Sequence, residues 1–96
     1  MTKKGYIIAH VQIHDHDAFE SYLAIGLPSL DRFGGRQLVL GGQYTAMEGR
    51  DRERHVVIEF ASYRQALDCY NSPEYQAAAE IRRRYADTDL VVVEGT

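Results

Sequence analysis

The sequence has little of what several classes of protein require. It has a single cysteine, Cys69, and so can form no internal disulfide. It has no apolar run near the ~20 residues of a membrane-spanning helix. Its start, Met1–Lys4, leads into a strand-like segment rather than an apolar signal segment. We therefore expect a cytoplasmic protein with no membrane partner.

Clustered positive charge is scarce as well. The formal net charge is −3, whereas recognition of a nucleic-acid backbone calls for clustered Lys and Arg. The one basic run, Arg82–Arg84, ends a predicted helix, where cations are stabilised by the helix dipole. We interpret this run as a solvated or ion-paired helix end, and we expect no nucleic-acid partner.

Metal and phosphate motifs are incomplete. The segment His14–Asp17 offers four potential ligands, but neighbouring residues at a strand-to-helix turn point in different directions, and stable sites need ligands that converge. Helix capping explains the aspartates more simply, so we predict no metal site. The pairs Gly34–Gly35 and Gly41–Gly42 lack the spacing of a phosphate-binding loop. Cys69 has no CxxC partner and is expected to pack in the core.

A length of 96 residues predicts one domain that spans residues 1–96. Alternating apolar residues predict four strands, over Gly5–His14, Arg36–Leu40, Arg54–Ala61 and Asp89–Glu94. Apolar stripes at helical spacing predict helices after the first and third strands.

Capping and proline signals divide these helices. Pro28 would remove a hydrogen bond from a helix interior, which predicts two segments, about 16–25 and a short one that restarts at Pro28. Ser62 and Gln65 match a capping box, in which the glutamine reaches back to the cap. Ser72 followed by Pro73 predicts the start of the last helix.

The element order β-α-β-β-α-β predicts the fold class. It is the order of the ferredoxin-like α+β sandwich, a four-stranded antiparallel sheet with helices on one face. The other sheet face is too apolar for full exposure to water, because Leu38–Leu40 and Leu90–Val93 are apolar on both sides of their strands. A second copy of the chain would cover it, and we predict a homodimer. The alternative is an exposed, partly apolar sheet.

Several segments, in this order and spacing, resemble the domain-of-unknown-function family 1330 over nearly the whole chain. They are Gly5–Tyr6, Asp17–Tyr22, Phe33–Arg36, Leu40–Gly42, Val57–Phe60, Tyr70–Gln76 and Val92–Gly95. The resemblance implies a dimeric α+β barrel, in which two domains pair sheet to sheet. Similar proteins include cofactor-free monooxygenases, muconolactone isomerases, haem-degrading enzymes and small stress-responsive barrels. The resemblance therefore implies no cofactor, and it leaves the reaction open.

Polar residues on the strands are the candidate catalytic groups. The first and third strands are neighbours in this fold, so we expect His10 and Glu59 to face one another, with the carboxylate orienting a general base. Arg36 could hold an anionic group in a bidentate pair. The plainer explanation is an ion pair of Arg36 with Glu59 at the dimer interface, and a hydrogen-bonded His10 between the sheets.

The seven tyrosines supply the candidate ligand-binding groups. Tyrosine offers an apolar wall with a hydroxyl, although ordinary core packing is the alternative use. Helix breaks expose N–H groups that can hold anions. The predicted ligand contacts are Tyr6, Tyr22, Tyr70 and Tyr75 between sheet and helices, and Asn71 and Ser72 with Tyr75 at the helix break. The predicted function is binding of a small aromatic or anionic molecule, with cofactor-free monooxygenase or isomerase chemistry open. The alternative is a non-catalytic structural or stress-associated dimer.

Overall fold

The computed structural model describes residues 2–96. Its elements, in chain order, are β1 (Gly5–Ile13), α1 (His16–Arg32), β2 (Arg36–Leu40), β3 (Arg54–Phe60), α2 (Tyr63–Tyr70), α3 (Pro73–Tyr85) and β4 (Ala86–Glu94). The strands form one antiparallel sheet in the order β2-β3-β1-β4. The predicted α+β class and the ferredoxin-like arrangement are confirmed. The last strand begins three residues earlier than predicted.

The helices cover one face of the sheet. Buried and less buried residues alternate along β1, and Ile7, Ala9, Val11 and Ile13 point toward the helices. The shortest dimension of the molecule is 17 Å, which corresponds to one sheet and one helical layer. The opposite face of the sheet, here called the open face, has no layer over it within residues 2–96.

The core joins the sheet to α2 and α3. Ile58 and Phe60 of β3 pack with Cys69 and Tyr75, and all four are almost fully buried. Burial raises the pKa of the Cys69 thiol to about 11. The prediction that Cys69 packs in the core is confirmed.

The predicted break in α1 is wrong, since one helix runs from His16 to Arg32 with Pro28 inside it. Proline removes the N–H that would bond to the carbonyl four residues earlier, at Ala24. Ala24 and Pro28 both lie on the exposed side of α1, where water can reach that carbonyl. The hydroxyl of Ser29 donates to the carbonyl of Gly26, 2.7 Å away, on the buried side. The helix therefore continues through the proline.

Side-chain caps fix the helix starts. Asp15 accepts from the backbone N–H of Ala18, and Ser62 accepts from that of Gln65. The Gln65 side chain does not reach back to the cap as predicted, because its amide donates to the carbonyl of Phe33 instead. This contact ties α2 to the end of α1.

Gly5 gives the first test of the fold. A Cβ at Gly5 would lie 2.5 Å from the Cα of Tyr63, and backbone atoms there cannot move aside cheaply. We expect Gly5→Ala to lower the free energy of unfolding by about 1–3 kcal/mol, the usual cost of overpacking. Urea denaturation at fixed protein concentration measures it.

Gly26→Ala is the matched control. A Cβ there would meet Tyr22 at 3.4 Å and Ala78 at 3.7 Å, ordinary contact distances, and alanine favours a helix. This variant should be as stable as the wild type or more so. Equal stability of the two variants would contradict the close approach of β1 to α2.

Candidate functional site

A small apolar cavity lies between the sheet and helices α1 and α3. Its volume is about 30 Å³. The hydroxyl groups of Tyr22 and Tyr75 meet beside it at 2.9 Å. The structure thus brings together two of the tyrosines that the sequence predicted as ligand contacts. The remaining wall is formed largely by Ile7, Ala9, Val11, Phe19, Leu23, Leu27, Leu30, Leu40, Val56, Ile58 and Leu90.

Arg82 is buried against the two tyrosines. Its side chain is 5% exposed, and its guanidinium carbon lies 5.6 Å from the centre of the Tyr22 ring and 6.0 Å from that of Tyr75. Such contacts stabilise a cation. Within residues 2–96 no carboxylate forms an ion pair with Arg82, and its Nε has no hydrogen-bond partner. The expectation of a solvated or ion-paired helix end is wrong for this arginine.

The position of Arg82 on α3 explains its burial. It lies seven residues after Tyr75, two helical turns along the same face. Ala78 and Ala79 between them are fully buried and too small to fill the space beside the sheet. The long arginine stem can therefore lie along this stripe. Arg83 and Arg84 point away from it and are exposed.

An open groove of about 700 Å³ runs along the edge strand β4, and we call it the arginine groove. Four arginines line it with only two aspartates, although the whole chain has a net negative charge. Arg82 and Leu90 line both the groove and the apolar cavity. The complete lining is Arg50, Arg52, Tyr70, Arg82, Arg83, Ala86, Asp87, Thr88, Asp89 and Leu90.

Two more polar groups of the groove wall lack partners. Arg52 is 9% exposed; its Nη2 lies 3.4 Å from Asp89, while its Nε is buried and unbonded within the described chain. The hydroxyl of Thr88 is buried without a partner among residues 2–96. Buried donors without acceptors are costly, and an anion in the groove could satisfy them.

The charges of the groove also act on its tyrosines. Burial opposes the ionisation of Tyr70, but hydrogen bonding and charge from Arg83, with smaller effects of Gln76 and Arg82, lower the pKa of Tyr70 below its ordinary value. Burial, followed by the neighbouring Tyr22, raises the pKa of Tyr75 far above it. Tyr70 therefore faces an environment that favours negative charge, and Tyr75 remains a neutral hydrogen-bonding group.

His10 and Glu59 do not face one another, and this geometric prediction is wrong. The register places His10 opposite His55, with 2.8 Å between their Nδ1 atoms. Glu59 lies opposite Tyr6, and its carboxylate accepts a hydrogen bond from the Tyr6 hydroxyl at 2.9 Å. Both pairs are on the open face, four residues apart along β1. Strand adjacency was predicted correctly, but the register was not.

Arg36 and Tyr6 lie on the open face as well. Arg36 is opposite Glu59 in the pairing of β2 with β3, but no ion pair joins them in the described part of the chain. Tyr6 alternates with the buried Ile7, so it points away from the helices. The expectation that Tyr6 lines a pocket between sheet and helices is therefore wrong.

The break between α2 and α3 is occupied by its own capping bonds. The Ser72 hydroxyl donates to the carbonyl of Cys69 at 2.7 Å and accepts from the N–H of Tyr75 at 3.2 Å. Asn71 ends α2 and is exposed. Neither residue lines the cavity or the arginine groove. Their predicted contact with a ligand remains a prediction without geometric support here.

The comparisons with known proteins agree with this architecture. The family model described as "Domain of unknown function (DUF1330)" matches residues 4–96. The chain belongs to the DUF1330 family. No curated protein matches it significantly.

Solved structures similar to this DUF1330 chain share its fold. A protein of unknown function from Rhodopseudomonas palustris has a TM-score of 0.78 at 16% identity, covering 100% of this chain and 85% of its own. SnoaB, a cofactor-independent oxygenase from Streptomyces nogalater, has a TM-score of 0.63 at 14% identity, covering 99% of this chain and 95% of its own. A dimeric protein of unknown function and ferredoxin-like fold from Bacteroides fragilis has 0.65 at 14%, covering 96% of each chain. At these identities the likeness shows the fold alone.

Two of the sequence predictions for this DUF1330 protein are that it has no metal site and no membrane partner. No group of three or more His, Cys, Asp or Glu side chains among residues 2–96 is arranged to hold a metal ion. Over the same residues, no helix has the length and apolar character needed to cross a membrane.

Sequence patterns alone did not indicate Arg52, Arg82 and Thr88 as candidate site residues. Arg82 could have been found, because it falls on the same helical stripe as Tyr75, Ala78 and Ala79. Arg52 and Thr88 carry no such signal. Arg52 lies in a polar segment, and only the pairing of β1 with β3 and β4 places it near Asp89.

The lowered pKa of Tyr70 gives a direct test of the groove. The difference in tyrosinate absorbance between wild type and Tyr70→Phe isolates the titration of this side chain. We expect the pKa of Tyr70 to rise in Arg83→Met, because the favourable charge is lost, and to stay in Arg84→Met. An unchanged titration in Arg83→Met would contradict the arrangement of the groove.

Proposed function

We propose that this protein is a homodimer that binds a small anion, of carboxylate type, in the arginine groove of each subunit. The observation that carries the proposal is the burial of Arg82 without a carboxylate partner. A guanidinium removed from water is stable only when other groups compensate the lost hydration. The tyrosine rings compensate in part, and a bound anion would complete the pairing.

The groove offers the right donors for such a ligand. Guanidinium groups bind carboxylates through paired N–H donors, and Arg50, Arg52, Arg82 and Arg83 all line the groove. The Thr88 hydroxyl adds a further free donor in the described wall. Asp89 partly neutralises Arg52, so the excess of positive charge is centred on α3.

The cavity between the sheet and the helices is too small for the aromatic ligand that the sequence predicted there. A cavity that takes up benzene has about 150 Å³, whereas the cavity between sheet and helices has about 30 Å³. An aromatic ring therefore has no room there without movement of the core. SnoaB shares only the fold with this chain, at 14% identity, so its oxygenase activity is not transferred to this chain.

Arg82 is the residue whose replacement tests anion binding. In the wild type, millimolar acetate at constant ionic strength should raise the melting temperature, since a ligand specific to the folded state stabilises it. Arg82→Met should weaken acetate binding at least tenfold, measured by thermal shift and by NMR titration. The methionine can fill the same apolar stripe, so the fold should survive.

Arg84→Met is the matched control, because Arg84 lies on the same helix, is exposed and does not line the groove. It should bind acetate as the wild type does. If neither wild type nor control responds to acetate, and Arg82→Met is only destabilised, the arginine has a purely structural role. That outcome would favour the non-catalytic structural module.

The open face supports the proposed dimer. Four apolar side chains form one row across the sheet, in the order Val39, Val57, Ile8 and Val91. Val39 and Val91 are 39% and 49% exposed in the single chain. Similar folds from Bacteroides fragilis and Thermobifida fusca are described as dimeric. A second copy on this face would bury the row.

Val91→Glu tests the dimer. A carboxylate at the β4 end of the buried row would have to be desolvated on association, so we expect sedimentation velocity to show a monomer at micromolar concentration. Ile25→Glu is the control, because Ile25 is similarly exposed, at 43%, but lies on α1 in the helical layer. A wild type that sediments as a monomer, or a dimeric Val91→Glu, would contradict dimerisation through this face.

A further inference from the structure

The arginine groove and the apolar cavity share a wall. Arg82 and Leu90 belong to the lining of both. The guanidinium of Arg82 thus offers charge on the groove side, while the space beyond it is bounded mostly by aliphatic side chains. A ligand with a charged head and an apolar tail would match both environments, with the head in the groove and the tail in the cavity.

The cavity sets the size of the apolar end. About 30 Å³ holds about two groups of the size of water or methyl. The space exists because small residues, Ala9 on β1 and Gly26 on α1, face it. A short unbranched tail therefore fits, and a ring or a branched tail does not.

We propose that the ligand is a short-chain aliphatic carboxylate, whose carboxylate pairs with Arg82 in the groove and whose tail enters the cavity between Arg82 and Leu90. This inference rests on the proposed anion-binding function and specifies its ligand class. The tail contacts the cavity side of the Tyr22 and Tyr75 rings. Their hydroxyls remain bonded to each other, so the cavity selects by size rather than by polarity.

A homologous series of ligands tests the proposal. With the first tail carbon at the opening between Arg82 and Leu90, the two further carbons of butyrate fill the cavity. Each of these buried carbons should tighten binding about fourfold, so affinity should rise from acetate through propionate to butyrate, measured by NMR titration at constant ionic strength. Hexanoate, pivalate and benzoate should gain nothing over acetate, because their tails exceed the cavity. Equal affinity for acetate and butyrate would overturn the proposal while leaving anion binding intact.

Variants that fill the cavity separate head from tail. Ala9→Val should abolish the gain from acetate to butyrate and leave acetate affinity unchanged, since Ala9 does not line the groove. Gly26→Ala should reduce the affinity gain from acetate to butyrate by a smaller factor. It provides the same test if Ala9→Val fails to fold. Ala77→Val is the control, because Ala77 is exposed on α3.

Each remaining outcome is decisive. If both cavity variants still prefer butyrate over acetate, the tail does not lie in the cavity. The same conclusion follows if these variants lose affinity for acetate and butyrate equally. Absence of binding by every carboxylate in the wild type would overturn the proposed function itself. A preference lost only in the cavity variants, with Ala77→Val unchanged, supports the short-chain carboxylate.

Discussion

The cation of Arg82, held against two tyrosine rings with no ion-pair partner among residues 2–96, is the interaction on which the candidate site depends. It requires α3 to lie close to α1, because Tyr22 comes from α1 and Tyr75 from α3. It also requires the small residues Ala78 and Ala79, which leave the arginine stem room to pass. Uncompensated burial of charge is destabilising, and the proposed anion would complete the pairing that the tyrosine rings begin.

The sheet separates two kinds of surface. Side chains that point toward the helices build the core, the cavity and one wall of the arginine groove. Side chains that point the other way form the open face, where an apolar row adjoins hydrogen-bonded pairs such as His10 with His55. Because successive residues of a strand point to opposite faces, one element such as β1 serves both. The proposed ligand binding and the proposed dimerisation can thus be tested by separate substitutions.

Local signals gave most of the fold. Apolar alternation located the strands, and the caps at Ser62 and Ser72 located two helix starts. The break at Pro28 was wrong because a proline signal does not say whether the freed carbonyl faces water. For the site, Tyr22 and Tyr75 were predicted together and do meet, whereas Tyr6 was assigned to the wrong face. The sequence pattern indicated that Arg82 lies on the same helical stripe as Tyr75, but it did not indicate that Arg82 is buried.

The sequence by itself determined the element order, the family and the apolar character of both sheet faces, because these depend on residues close together along the chain. Only the tertiary structure decided which side chains meet. A register between strands is set by packing over the whole sheet, and it placed His10 opposite His55 instead of Glu59. The burial of Arg82 is likewise decided by how α3 sits on the sheet. Long-range packing, which the local pattern does not contain, placed one residue of a basic helix end at the centre of the candidate site.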